Sequence, residues 1–224
     1  MLAPPIGLLG GTFDPIHLGH LRPALAARDA LQLAELRLLP NRVPPHRASP
    51  FCTAEQRLEM VKLAAAEFHL VVDERELRRD QPSWTIDTLE ELRRELPHTP
   101  VCFLMGMDSL LGLPTWRRWQ ALLDVAHLVV SVRPGWHIDE ANTEVRALLQ
   151  AHVTERWEDL HERLAGCIWL AHNEPLPLSS TQVRALLAEG NDPRDLLPES
   201  VADYIRRQGL YVGKHHAHDI IRHP

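Results

Sequence analysis

The chain has 224 residues, 45% of them hydrophobic, which allows a packed core and excludes a disordered chain. Its formal net charge of −6 is a poor footprint for a nucleic-acid binder, so any polyphosphate site must gather Arg, His and backbone N–H groups locally. Three widely spaced cysteines (Cys52, Cys102, Cys167) exclude a disulfide scaffold, no apolar run approaches the roughly 18 residues of a membrane span, and Met1–Gly7 lacks signal-peptide features, so a cytoplasmic protein is expected.

The elements alternate along the chain. Ile6–Leu9 reads as a buried strand, followed by Gly10-Gly11-Thr12-Phe13-Asp14-Pro15-Ile16-His17-Leu18-Gly19-His20, where a helix should start. Leu36–Leu39 is a second strand, followed by Pro40-Asn41-Arg42-Val43-Pro44-Pro45-His46-Arg47. Leu58, Val61 and Ala65 recur at helical spacing, and His69–Val72 is a further strand. Ile86, Leu89, Leu92 and Leu96 mark a helix that begins near Ser83-Trp84-Thr85. Val101–Met105 is a strand ending in Gly106-Met107-Asp108, and Leu128–Val132 one ending in Arg133-Pro134-Gly135. Cys167–Leu170 precedes Pro177-Leu178-Ser179-Ser180-Thr181 and Arg184. Val183, Leu186 and Leu187 suggest a helix, and Val201, Tyr204 and Ile205 another. Strands alternating with helices imply a parallel α/β sheet covered by helices on both faces. No repeat or linker interrupts it, so residues 1–224 read as one domain. Cys102 and Cys167 lie in apolar runs and should be buried free thiols.

Every segment rich in Gly, His, Arg or Ser follows the carboxyl end of a strand, the edge where open parallel sheets bind ligands. In the first of them, Gly10 and Gly11 would let backbone approach a ligand. His17 and His20 would share one face of a helix start whose N–H groups and dipole favour phosphate. The glycine spacing is not GxGxxG and no Gly-Lys-Ser/Thr follows, which disfavours a dehydrogenase or a P-loop ATPase.

GGTFDPIHLGH resembles the HxGH signature of the nucleotidyltransferase superfamily, and Ser179-Ser180-Thr181-Gln182-Val183-Arg184 its ISSTxxR signature, with Leu178 in the Ile position. PNRVPPHR, SWTIDTL, GMD, LPTW and RPG resemble bacterial nicotinate-nucleotide adenylyltransferase, over about residues 6–211. The resemblance implies a Rossmann-like fold of the HxGH type. It implies transfer of AMP from ATP to nicotinate mononucleotide, giving deamido-NAD and pyrophosphate in NAD biosynthesis.

By that resemblance the catalytic residues are His17, His20 and Arg184, with His20 favoured for the transition state. ATP would meet Gly10, Gly11, Thr12, Phe13, His17, His20, Ser179, Ser180, Thr181 and Arg184. The mononucleotide would meet His46, Arg47, Thr85, Gly106, Asp108, Trp116 and Arg133. Trp116 would stack on the pyridine ring, Thr85 meet its carboxylate and Arg133 its phosphate, although a core tryptophan, a helix cap and a solvated arginine are the plainer roles of those types. Asp14 and Asp108 are candidates for outer-shell or ribose contacts. Mg2+ would arrive with ATP, with no protein metal cage. The family's Tyr between Ser and Thr is Trp84 here, which alters the pocket wall without removing a required polar group.

The expected partners are ATP and nicotinate mononucleotide, with neither nucleic acid nor membrane; the oligomeric state is not assigned. Two other readings stay open: a small nucleotidyltransferase using phosphopantetheine or a cytidylyl acceptor, and a non-catalytic nucleotide-binding module. Lys214-His215-His216-Ala217-His218, within the polar tail 214–224, reads as a disordered end rather than a metal site.

Overall fold

The apolar runs become six strands: β1 (Ile6–Gly11), β2 (Glu35–Pro40), β3 (Val71–Val72), β4 (Val101–Gly106), β5 (His127–Ser131) and β6 (Ile168–Ala171). In the computed structural model, which describes residues 2–42, 50–132, 140–172 and 178–212, all pair in parallel in the order β3-β2-β1-β4-β5-β6. That order reverses direction between β1 and β4, so their carboxyl ends flank the crevice where doubly wound sheets bind nucleotides. The helices are α1 (Leu18–Ala30), α2 (Ala54–Phe68), α3 (Thr85–Glu95), α4 (Met107–Leu111), α5 (Leu122–Val125), α6 (Thr143–His152), α7 (Asp159–Glu162), α8 (Ser180–Ala188) and α9 (Glu199–Gln208).

Period-two alternation on β4 shows why the strands are apolar throughout. Val101, Phe103 and Met105 pack with Ile86, Leu89 and Leu92 of α3 and Val145 and Leu149 of α6. Cys102 and Leu104 face the other way, onto Ala24 and Ala27 of α1. A further cluster joins Leu21 of α1, Met60 and Val61 of α2, Val183 of α8 and Val201 and Ile205 of α9. Helices therefore cover both faces, as expected.

One strand is shorter than its apolar run. His69 turns left-handed (φ 53°) to close α2, its N–H donating to the Ala65 carbonyl, so only Val71–Val72 join the sheet. Helix α6, capped by the Asn142 side chain on the Val145 amide, is not among the elements anticipated from the sequence. All three cysteines are buried thiols, Cys52 included. Among the described residues no helix is long and apolar enough to cross a membrane. His46, Arg47, Arg133 and the tail from residue 213 lie outside the described residues.

Candidate functional site

The carboxyl end of β1 enters a turn that is tied down from several sides. Gly11 is required there by packing: a Cβ would come within 2.7 Å of the Phe13 ring. Phe13 is left-handed (φ 50°) and 1% exposed, and its ring meets His20 edge-on at 5.3 Å. Its ring therefore packs against His20 from the inside of the fold. At Gly10 a Cβ would make only ordinary contact with Phe103, at 3.5 Å.

Arg57, on α2 and 1% exposed, donates to the Thr12 carbonyl at 2.6 Å and the Arg42 carbonyl at 2.9 Å. It thereby fixes the turns after β1 and β2 together. Burial lowers the pKa of this guanidinium, and the Asp14 carboxylate opposes the shift. Asn41 bridges the same two turns: its N–H donates to the Gly11 carbonyl and its amide group to Thr12 Oγ1 at 3.3 Å. Asn41 Oδ1 is buried without a partner among the described residues.

Asp14 is held by the protein around it. It is 5% exposed and its carboxylate accepts from the amides of Phe51 (2.7 Å) and Cys52 (3.3 Å) and from the Tyr211 hydroxyl (2.7 Å). Both carboxylate oxygens are thus engaged within the protein.

His17 precedes α1, and His20 lies within its first turn. Their rings stack with centres 3.6 Å apart and planes 27° from parallel, and the His17 amide donates to His20 Nδ1 at 3.3 Å. His17 is 2% exposed, and neither of its ring nitrogens has a partner among the described residues. Burial pushes its pKa down to about 4, so the ring is neutral at pH 7. His20 is the more open of the two, half-buried where His17 is buried. The helix start is less free than its sequence suggests, because the Leu18 amide donates to the Leu196 carbonyl at 2.9 Å. Gly19 is sterically required, since a Cβ would lie 3.0 Å from the Leu178 carbonyl and from His17 Nδ1.

That contact brings in α8. Ser179 is its N-cap: its hydroxyl accepts from the Gln182 amide, and the Gln182 side chain accepts from the Ser179 amide at 2.8 Å. Ser180 Oγ donates to the Pro15 carbonyl at 3.1 Å. Arg184 reaches back to the first turn, donating to the Asp14 carbonyl at 2.8 Å and to Thr181 Oγ1 at 3.1 Å. Its Cζ lies 4.5 Å from the centre of the Phe51 ring. A guanidinium has five N–H donors, so these bonds leave others for an anion. The Ser179 and Ser180 hydroxyls donate within the protein, to the Gln182 side chain and the Pro15 carbonyl, whereas Thr181 Oγ1 accepts from Arg184 and keeps its own O–H to donate.

Thr85 is the first residue of α3 and Trp84 its N-cap. Arg117 lies over the Trp84 ring, 5.7 Å from its centre. Its neighbour Trp116 closes the short turn Leu113–Thr115 and meets Phe103 edge-on at 6.3 Å. Thr85 and Trp116 thus border one region, joined through Trp84 and Arg117, and Phe103 connects that region to Gly10. Gly106 ends β4 and Asp108 begins the next turn; both are exposed, and a Cβ on Gly106 would meet nothing within 4 Å. A separate groove of about 570 Å³, lined by Arg37, Asp73, Arg75, Arg79, Glu91 and Glu95, contains none of these residues. Its Arg75 is paired with Asp73, Glu91 and Glu95.

Asn41, Phe51, Arg57 and Tyr211 are site-shaping residues that sequence reasoning did not name. Asn41 stands in the PNRVPPHR string; nothing local marks the other three.

Residues 8–186 match the cytidylyltransferase-like family model. A probable nicotinate-nucleotide adenylyltransferase of Aeromonas hydrophila is 71% identical, covering 94% of this chain and 99% of its own. One from Psychromonas ingrahamii is 47% identical, covering 92% and 96%. The solved Plasmodium falciparum nicotinic acid mononucleotide adenylyltransferase complexed with NaAD superposes with a TM-score of 0.69 at 18% identity, over 93% of this chain and 98% of that one, a likeness of fold.

Proposed function

Since the chain belongs to the nicotinate-nucleotide adenylyltransferases, within the cytidylyltransferase-like family, we propose that it joins ATP to nicotinate mononucleotide at the carboxyl edge of its sheet. The observation that carries this reading is the convergence of His17, His20 and Arg184 on the turn after β1, although Arg184 is 170 residues from Asp14 in sequence. A phosphate oxygen of the mononucleotide attacks the α-phosphorus of ATP. One P–O bond forms, the bond to the bridging oxygen breaks, and pyrophosphate leaves with the electron pair.

The attacking phosphate is already ionised at neutral pH, so the residues need only position the reactants and stabilise charge. His20 donates to the phosphates in the transition state. Neutral His17, packed behind it, holds that ring in place. Arg184 pairs with the phosphates from the α8 side. Trp116 stacks on the pyridine ring and Thr85 meets its carboxylate, with Gly106 and Asp108 beside the ribose-phosphate. His46, Arg47 and Arg133 complete this reading as mononucleotide contacts.

The ATP chemistry calls for a divalent cation. Among the described residues no three His, Cys, Asp or Glu side chains group as a metal cage. Mg2+ carried on the triphosphate would neutralise phosphate charge. Residues 1–224 act as one domain in this reading, and the enzyme works in the cytoplasm.

The test is pyrophosphate release from ATP with nicotinate mononucleotide, nicotinamide mononucleotide and phosphopantetheine compared. Fastest release with nicotinate mononucleotide supports the reading; preference for phosphopantetheine, or no release with any of them, refutes it.

A further inference from the structure

Asp14 holds Arg184 from two sides. Its carbonyl accepts from Arg184 Nη1 at 2.8 Å. Its carboxylate accepts from the amide of Phe51, whose ring lies 4.5 Å from the same guanidinium. The position of Arg184 therefore depends on how the Asp14 carboxylate is held. Its χ2 torsion is intrinsically broad. Of the donors to Oδ1, the Cys52 amide is long at 3.3 Å and the Tyr211 hydroxyl short at 2.7 Å.

Tyr211 is brought there by an unusual route. Helix α9 ends at left-handed Gly209 (φ 59°), the Leu210 amide turns back to the Ile205 carbonyl, and Tyr211 is itself left-handed at φ 64°. Residues with a Cβ adopt that conformation rarely, and a bulky one there is a genuine outlier. The ring is 6% exposed and packs in the cluster shared by α1, α2, α8 and α9. Packing alone would not require the hydroxyl. Burial and the neighbouring Asp14 push its pKa far up, so it remains a donor at every working pH.

We propose that Tyr211 is a positioning residue for adenylyl transfer: by hydrogen-bonding Asp14 it fixes the turn after β1 and the Phe51 ring, and through both the guanidinium that meets the ATP phosphates. The inference rests on Arg184 being a phosphate ligand. It predicts a one-sided effect, because none of these contacts reaches Thr85 or Trp116. A charge-assisted bond in a buried setting is strong, and a small misplacement of a catalytic group is costly to rate.

Tyr211→Phe keeps the ring and removes the hydroxyl. It should lower kcat/KM for ATP by about tenfold or more while leaving the mononucleotide KM close to wild type, with some fall in the thermal midpoint from the lost buried bond. In an Arg184→Ala background the same change should add nothing, as expected when one residue acts through another. Asp14→Asn, which keeps the shape but sets an NH2 against the Phe51 or Cys52 amide, should show the same loss on the ATP side. Three results would each overturn the proposal: wild-type ATP kinetics in Tyr211→Phe, a KM raised equally for both substrates, or simple additivity with Arg184→Ala. Binding of a non-hydrolysable ATP analogue is measured alongside turnover. A wild-type protein inert towards both substrates would sink the proposed reaction, while the variant-to-wild-type ratio of analogue affinities would still decide the role of Tyr211: a ratio near one counts against it.

Discussion

The His20 imidazole lies face-on to that of His17, ring centres 3.6 Å apart, and the pair is closed at its edge by Phe13. A stack of this kind fixes His20 before any phosphate arrives, which is what electrostatic stabilisation without reorganisation requires. His20→Ala should fold normally and lose turnover by roughly 10²–10³, the usual loss when one preorganised donor is removed. Steady-state kcat on a variant with a native circular-dichroism spectrum checks it; near-wild-type turnover removes His20 from the chemistry.

Gly19 lets the α1 start touch the backbone entering α8. In Gly19→Ala the new methyl sits 3.0 Å from the Leu178 carbonyl and from His17 Nδ1, so either α8 or the histidine stack must shift. Overpacking typically costs about 1–3 kcal/mol, and here it should fall on activity as well as stability. Denaturant midpoints and ATP kinetics measured on one preparation test this; unchanged values in both would mean the two segments are not in contact.

The depressed pKa of His17 has a consequence for acid stability. The folded chain binds the proton only near pH 4, whereas the unfolded chain binds it near the ordinary value of 6.5. Between those values the unfolded state carries more protons, so stability falls as pH drops through the window and its contribution is fully lost below about 4. The contribution at neutral pH is on the order of 3 kcal/mol. Buried His127, also lowered by desolvation, acts in the same direction. His17→Gln should show a shallower loss of unfolding free energy than wild type between pH 6.5 and 4; parallel curves would show that the ring is not buried neutral.

Acid and amide substrates should be distinguished at the start of α3. Helix N-terminal amides are donors only and sit at the positive end of the dipole. A carboxylate accepts from them and from Thr85, whereas a carboxamide must direct an NH2 at a donor, a mismatch worth about 1–3 kcal/mol. Nicotinate mononucleotide should be favoured over nicotinamide mononucleotide by at least about tenfold in kcat/KM, and Thr85→Val should shrink the preference. Equal efficiency with both mononucleotides refutes this specificity.

The sheet was legible in the sequence because it is covered on both faces. Val101–Met105 is apolar at every position since its odd residues face α3 and α6 and its even ones α1. The turns of the site were legible because Gly, His and Ser stand at strand ends. The bonding that shapes the site was not. Arg57 reaches a carbonyl 45 residues away and Tyr211 a carboxylate 197 residues away, and no local pattern records such pairings. Ser179 shows the reverse difficulty. Its spacing to Gln182 is a capping-box signature readable without any structure, yet the same residues belong to the string that resembles ISSTxxR, and the phosphate reading masks the cap. The apolar neighbours of His69 suggest a strand from that residue on, whereas the end of α2 places a left-handed residue there.

The Tyr211–Asp14 bond also sets an order on synthesis. The turn after β1 is synthesised well before its tyrosine donor and stays without it until residue 211 follows. Ser180 and Arg184, its other distant partners, emerge only shortly before. Contacts of such sequence separation form late in folding, because chain closure opposes them. A nascent chain stalled ahead of α8 can therefore build β1 to β6 and still lack an assembled phosphate site.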